Sequence, residues 1–537
     1  MIGTSLAEYV FIRVCIVLLR LVTPVSFGLV AAYVAWWYDA PRWLHWMAVV
    51  PTWAMLYPIA ECLFYLVVFV PWSRHLRRDT EHPPLRPRRE REDLFRLCHE
   101  NIPDADTYAR VWFHGSEPAE LRRDNVEDWI LWAVFSANRS ELDKHPEWRE
   151  ELAQYVKSFE EKIETTLPAG HNSHVKSIRL TLDEVNIVHR PLVWYMIVAH
   201  VDFLTFCALN LLGFTHYASP KWFTVFPFRP YTTFGNRSPS EVSYWHRPHR
   251  SLQKRPILFI HGLGIGLWAY IRFFFQLVRA EPEVGVLAVE LMPISMRITA
   301  SPVLRRDVMV ATLRKILARH EFDNILLIAH SYGSIVAAHL LHAAARRSLS
   351  VNDDIDAQND LRDGDVADVS PKIHSMLLID PVAILLHLPT TASNFVYRNP
   401  RQANEYQLWY FASRDAGIAN TLSRQFFWAD NLLWKVDLQK DRIPGGAAVV
   451  LSERDQITPA SDIWTYLTGR RTVGDASEEE NGVLRWRSDG SVDDLDLEVL
   501  FERGLDHAQI FDDGRLHQVL CIAQRLMQNI KAPSYRD

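Results

Sequence analysis

The stretch Ala329-His330-Ser331-Tyr332-Gly333 sets a lone serine between two small residues, with the apolar run "NILLI" before it and "SIVAAHLL" after it. A nucleophilic serine must be lifted out of a sheet on a tight strand-to-helix turn. Small residues two before and two after it are needed because that turn crowds them against neighbouring backbone. A helix beginning there also aims the positive end of its dipole at a developing oxyanion. Ser331 is therefore a candidate nucleophile, flanked by Ala329 and Gly333. Asp455 in "VVLSERDQITP" lies just past an apolar run, with Thr458 and Pro459 opening a helix. His507 lies in "LEVLFERGLDHAQIFDDG", in a loop after what reads as the last strand. In that order His507 would take the serine proton, and Asp455 would hold the imidazole tautomer and stabilise the imidazolium. Upstream, "IHGLG" (His261, Gly262, Leu263, Gly264) lets backbone N–H groups come close to a substrate oxygen, so the Leu263 and Tyr332 amides are the expected oxyanion donors. Asp380, ending "MLLID", is the alternative acid. Its position where the chain leaves a strand fits better with holding backbone donors. A serine-based site of this kind requires no metal and no cofactor.

These residues need a frame. From Val242 onward the sequence alternates short apolar runs with helical periodicity: "PILFIHG", "GVLAVEL", "NILLIA", "KIHSMLLID" and "GGAAVVLS" read as strands. Ser301 followed by Pro302 reads as a helix start for "VLRRDVMVATLRKILARH". Such β-α-β-α order predicts an α/β fold, a mostly parallel sheet flanked by helices, with reactive groups at the carboxyl ends of the strands. Two acidic inserts, 351–368 and 475–482, interrupt the pattern. The first lacks the alternating acidic spacing of an EF-hand calcium loop and reads as a solvated surface loop.

The first 73 residues differ. Only Arg20 is charged between Cys15 and Trp37, and only Glu61 between Leu44 and Trp72. Each stretch is long enough to cross a bilayer once, and the short joint "YDAPRW" suits a helical hairpin. Seven arginines (Arg74, Arg77, Arg78, Arg86, Arg88, Arg89, Arg91) follow the second stretch, against Arg42 alone in the joint. That asymmetry places the remainder of the chain on the cytosolic side. Glu61 is expected to be protonated or packed against Arg13 or Arg20. Residues 93–215 read as helical, with Asp124 as an N-cap. A third apolar run, 191–214, carries His200 and Asp202 near its middle, so it is expected against the membrane surface or the core. Sequons at Asn138 and Asn236 would be usable only on the lumenal side. Across all 537 residues the net charge of −6 gives no general reason to expect a nucleic-acid partner, and the five cysteines lack any short metal or redox spacing.

With those motifs in hand, the segment from about 255 to 530 resembles an α/β-hydrolase of the AB hydrolase-1 type. The A-H-S-x-G elbow resembles that of certain lipases, and "SERDQITP" and "GLDHAQ" resemble the family's acid and histidine loops. A hydrophobic amino-terminal anchor ahead of such a domain is similar to membrane-bound fungal members. The departures are Ala329 for the usual glycine and the long acidic insert. The expected organisation is a transmembrane hairpin (1–73), a juxtamembrane linker and helical pre-domain (74–240), and a hydrolase domain (241–537) with an aromatic cap at 381–440. The expected activity is hydrolysis of a lipid-type carboxylic ester through an acyl-enzyme, in an integral membrane protein whose partners are the bilayer and its acyl substrate. The alternatives are acyl transfer or thioester cleavage by the same triad, or a non-catalytic scaffold. Dehalogenase and epoxide hydrolase chemistry do not fit, since those sites place aspartate where this chain has Ser331.

Overall fold

A computed structural model describes residues 2–38, 51–80, 82–353, 372–470, 478–480, 482–488 and 495–528. Helix α1 (Leu6–Trp37) opens with a capping box between Ser5 and Glu8. A second apolar run, Thr52–Leu76, comprises α2 (Leu56–Leu63), a π-helical stretch and α3 (Val70–Leu76). The joint between the runs falls almost wholly outside the described residues. Glu61 is fully buried but meets neither Arg13 nor Arg20. It accepts instead from Thr23 Oγ1 (2.5 Å), Tyr57 OH (3.2 Å) and the Leu192 N–H (2.7 Å). That correction follows from the company the helix keeps: α2 packs on α1 and on the start of a third apolar helix, and their short polar groups reach Glu61 first.

Helices α4 (Arg88–Glu100), α5 (Ala105–Trp112), α6 (Arg123–Phe135) and α7 (Trp148–Lys162) form the helical region. Asp124 is not the cap of α6, which starts one residue earlier. The Arg123 and Asp124 N–H groups are satisfied by the Pro168 and Gly170 carbonyls, so no side-chain cap is needed. The third apolar helix is α8 (Leu192–Leu211). Where the sequence predicts two membrane crossings, among the described residues three helices are long and apolar enough to cross. Yet α8 buries Trp194, Tyr195, Val198 and Leu209 against the domain. Its Asp202 pairs with Arg229 (2.8 Å) and Arg297 (2.7 Å).

Among the described residues the main sheet has eleven strands in the order β11-β12-β13-β10-β9-β8-β5-β6-β4-β1-β3. In chain order they are β1 (Thr215–Ala218), β3 (Asn236–Arg237), β4 (Ser243–Arg247), β5 (Ile257–Ile260), β6 (Val286–Glu290), β8 (Asn324–His330), β9 (Lys372–Ile379), β10 (Ala447–Ser452), β11 (Glu478–Glu480), β12 (Val483–Arg487) and β13 (Leu497–Glu502). Strands β2 (Val225–Phe226) and β7 (Ile298–Thr299) pair separately. The block β13-β10-β9-β8-β5-β6 is parallel, and antiparallel strands flank it on both sides. β5, β6 and β10 are buried throughout, which is why they read as unbroken apolar runs and not as alternation. The sheet reaches back to Thr215, upstream of residue 241, and Glu478–Glu480 of the second acidic insert form an edge strand. Residues 354–371, which hold most of the first insert, lie outside the described residues.

Helices α9 (Ile271–Ala280), α10 (Arg306–Arg319), α11 (Gly333–Asp353), α15 (Ala460–Thr468) and α16 (Leu516–Leu526) cover the sheet. Ser301 and Pro302 do not open α10, which begins at Arg306. The β2–β7 pairing keeps the chain extended as far as Ala300, whose N–H donates to Thr224 O. The cap segment carries α12 (Pro389–Ala392), α13 (Ala403–Leu408) and α14 (Ala416–Arg424). α13 is fastened to α1: Ile12 and Ile16 pack on Ala403 and Tyr410, and the Arg13 guanidinium lies 4.4 Å over the Tyr406 ring. One continuous apolar core runs from Trp112 and Trp132 of the helical region through Leu258 and Val449 of the sheet. The helical region and the sheet therefore pack as one body.

Candidate active site

Each sequence-predicted group emerges at the carboxyl end of a parallel strand: the 261–264 loop after β5, Ser331 after β8, Asp380 after β9, Asp455 after β10 and His507 after β13. The geometry brings the three principal groups into one line. His507 Nε2 lies 2.8 Å from Ser331 Oγ, and His507 Nδ1 lies 2.8 Å from Asp455 Oδ2.

Ser331 has φ of 51°, a left-handed conformation that costs a non-glycine residue on the order of 1–3 kcal/mol. Its neighbours hold it there. The Ser331 N–H donates to Ile379 O (2.9 Å), and Ser334 Oγ donates to Ser331 O (2.6 Å). The small flanks are needed for space. Ala329 is wholly buried between β5 and β9, and a Cβ on Gly333 would lie 3.0 Å from the Ile260 carbonyl carbon and 3.2 Å from His261 O. Alanine suffices at 329 because that position is still in the strand.

Two amides of the 261–264 loop, and that of Ser331, are already spent. Gly262 N–H donates to Tyr270 OH (3.0 Å), Gly264 N–H to Ile294 O (3.1 Å), and Ser331 N–H as above. Among the described residues the Leu263 and Tyr332 N–H groups have no acceptor, and both residues line the same cavity as Ser331. His261 supports the loop: its Nδ1 contacts Gly262 O (2.7 Å) while its Nε2 accepts from the Leu291 N–H (3.0 Å).

Asp455 caps the chain that follows it, accepting from the Ile457 and Thr458 N–H groups (2.7 and 3.0 Å) and from Thr458 Oγ1 (2.7 Å). Burial works against its charge. The opposing His507 charge and these hydrogen bonds nevertheless hold the carboxyl below its ordinary value. Asp380 lies beside the line and not in it. Its oxygens accept from Ser452 N–H (2.9 Å), Ser452 Oγ (3.0 Å) and Ala508 N–H (2.9 Å), tying the end of β10 to the histidine loop. Burial, then the Asp455 charge, pushes Asp380 up to about 6. For His507 burial alone would lower the value. The charges of Asp455, Asp380 and Asp506 and the Asp455 hydrogen bond outweigh it and raise the imidazole to about 9.

Asp380, Asp455 and His507 bring ligand-type atoms within 4.8 Å of one another. Those atoms are already committed to one another, to backbone amides and to Ser331, which suits proton transfer better than metal binding.

Three contributors are not visible in the motifs. Tyr270 OH accepts from Gly262 N–H and meets His330 Nδ1 at 2.7 Å, bracing the oxyanion loop against the elbow. Burial, then the nearby His507 and His261 charges, drive His330 well below its ordinary value. Asp506 joins the two loops, accepting from the His507 and Gln456 N–H groups (2.7 and 3.0 Å), and from Asn404 Nδ2 of the cap (2.7 Å). Finally, a cavity of about 280 Å³ opens on Ser331 and His507. It is walled by Leu263, Phe395, Phe411 and Phe426 and also by Trp112, Trp132 and Leu180 of the helical region.

Residues 257–497 match the alpha/beta hydrolase family, and the strand order and carboxyl-end site are those of an α/β-hydrolase fold. No curated protein matches the chain. Among solved structures, the chain is similar to a bacterial membrane phospholipase A at 12% identity and a TM-score of 0.36, covering 62% of this chain and 94% of that one. It is similar to a carboxylesterase structure from the thaumarchaeon Nitrososphaera gargenis at 15% identity and a TM-score of 0.32, covering 54% and 98%. It is also similar to carboxyl esterase 2 of the mycorrhizal fungus Tuber melanosporum at 14% identity and a TM-score of 0.31, covering 53% and 82%.

Proposed function

We propose that the protein is a membrane-anchored serine hydrolase that cleaves a lipid-type carboxylic ester through an acyl-enzyme. The observation that carries this reading is the unbroken line Ser331 Oγ, His507 Nε2, His507 Nδ1, Asp455 Oδ2, with 2.8 Å at each junction. In this reading Ser331 Oγ attacks the ester carbonyl carbon while His507 Nε2 takes its proton. Asp455 stabilises the imidazolium through Nδ1–H. The oxyanion accepts from the Leu263 and Tyr332 amides, whose directions are fixed because their neighbours' amides are engaged. Collapse expels the alcohol, which receives the proton from His507. Water then repeats the cycle on the acyl-enzyme and releases the carboxylic acid.

An apolar cavity beside the nucleophile supports an acyl chain as the group bound. The apolar helices α1 and Thr52–Leu76, with α13 of the cap docked on α1, support a substrate drawn from the bilayer. Helix α8 is read as lying on the domain, since the Asp202 pairs with Arg229 and Arg297 would be broken by an independent crossing. With two crossings, the arginine-rich segment after the second keeps the catalytic domain cytosolic.

The test is a rapid-quench reaction of the full chain in detergent with p-nitrophenyl esters. A burst of nitrophenol equal to the enzyme, with one acyl group added to Ser331 by mass, is expected. Neither should occur in Ser331→Ala, and an undiminished burst in that variant would end the assignment.

A further inference from the structure

The cavity at Ser331 is not built by the hydrolase domain alone. One boundary consists of Ser331, His507 and Leu263 at the sheet edge; another consists of Trp112, Trp132 and Leu180, which come from the helical region outside the family match. Trp428 of the cap closes the same side. Its indole N–H donates to Ala133 O (3.1 Å), and the Trp132 indole N–H donates to Thr181 Oγ1 (2.9 Å), so both rings are fixed. On their other side lies a second, smaller cavity of about 40 Å³ inside the helical region, lined by the same three tryptophans together with Cys98, Tyr108 and Phe159. Trp112, Trp132 and Trp428 are therefore a partition between two apolar spaces, one of which opens on the nucleophile.

We propose that this partition makes the helical region the length gauge of the site: Trp112, Trp132 and Trp428 stop the acyl chain and so set how long a chain is accepted. The proposal rests on the ester-hydrolase reading above and adds the substrate's chain length to it. The present space, about 280 Å³, is roughly twice the ~150 Å³ cavity that holds a benzene molecule, which fits a chain on the order of ten carbons. Deleting an indole, larger than benzene, frees on the order of a further 150 Å³ and opens the way into the second cavity. In proportion, that is room for about five more carbons.

The experiment measures kcat and KM for straight-chain p-nitrophenyl esters from butanoate to stearate with the full-length protein in detergent. Wild type should peak at medium chains. Trp132→Ala should move the optimum up by about four to five carbons, through KM for long chains. Trp132→Phe should move it part of the way, and Leu180→Phe, which adds bulk to the same wall, should move it down. Fluorophosphonate labelling of Ser331 at the wild-type level confirms that each variant is folded. If Trp132→Ala fails that check, Trp132→Phe and Leu180→Phe decide the matter by their opposite shifts. An unchanged optimum in labelled variants that still hydrolyse butanoate overturns the gauge and leaves the hydrolase reading standing. If wild type hydrolyses no ester, the hydrolase reading falls. The gauge is then judged by binding of the same series of free fatty acids to Ser331→Ala with and without Trp132→Phe, where equal length dependence overturns it.

Discussion

Gly262→Ala is the substitution whose consequence the geometry states most sharply. A Cβ built on Gly262 would stand 2.7 Å from Ser331 Cβ, 2.9 Å from His330 Nδ1 and 3.2 Å from His330 O. Two carbons settle at about 3.5–4.0 Å, so the loop and the elbow must separate by roughly 0.8 Å. The elbow cannot readily give: Ser331 N–H is held by Ile379 O, and His330 Nδ1 by Tyr270 OH at 2.7 Å. The loop moves instead, and it carries the Leu263 N–H away from the oxyanion position. Loss of one such donor costs about 10²- to 10³-fold in kcat, and overpacking of this size costs about 1–3 kcal/mol of stability. The assay is kcat and KM on an accepted ester, with thermal unfolding followed in the same detergent. The expected result is kcat down about 10²- to 10³-fold, KM within about threefold, and a cooperative melt a few degrees lower. A variant that melts cooperatively and keeps kcat within about threefold of wild type would refute the assignment of Leu263 as a donor.

Other consequences follow from the same site. Because His507 must be neutral to accept the serine proton and is held up at about 9 by its acidic neighbours, kcat/KM should rise with pH to a half-maximum near 9; a profile already flat from pH 7 upward would contradict this. Asp455→Asn should lower kcat by about 10⁴-fold through the wrong imidazole tautomer, whereas Asp380→Asn should keep kcat within about tenfold and move the half-maximum of the rise to lower pH, and the reverse pattern would make Asp380 the acid. The raised His507 value also means that its contribution to stability is fully present below about 6.5 and is lost as pH rises through about 9, so the melting temperature of wild type should fall over that window more than that of His507→Gln. Asp202→Ala strands the buried Arg297, while Arg229 keeps its bidentate pair with Glu290 (2.8 and 2.9 Å), and should cost about 3–5 kcal/mol; a melt shifted by less than a degree would argue that α8 is not anchored to the domain.

The proposed line of Ser331, His507 and Asp455 could be anticipated from the sequence because each candidate member announces itself locally. A strand ending in a nucleophile needs small flanks, the acid carries its own helix start at Thr458 and Pro459, and the histidine loop follows a strand. Chain order then supplies the assembly. Features that depend on packing between distant segments were not legible. Trp112 and Trp132 read only as aromatic helix residues, and nothing in their spacing says that the cap and the sheet edge bring Ser331 to the same cavity. Tyr270 reads as one ring in an aromatic stretch, and its tie to Gly262 and His330 exists only once α9 packs beneath the loop. The Ser301–Pro302 signal is sound chemistry for a helix start, but the β2–β7 pairing holds that segment extended. Glu61 stands out as a lone carboxylate in an apolar run; Tyr57, one turn away on the same helix, is a local partner, but Thr23 and the Leu192 N–H come from other helices and could not be seen.

The most direct measurement is site mapping of a fluorophosphonate adduct on the full-length protein. One adduct per chain on Ser331 is predicted at alkaline pH, absent in Ser331→Ala and at least about a hundredfold slower in His507→Ala. An adduct on any other residue, or labelling of Ser331 at an unchanged rate without His507, would contradict the account.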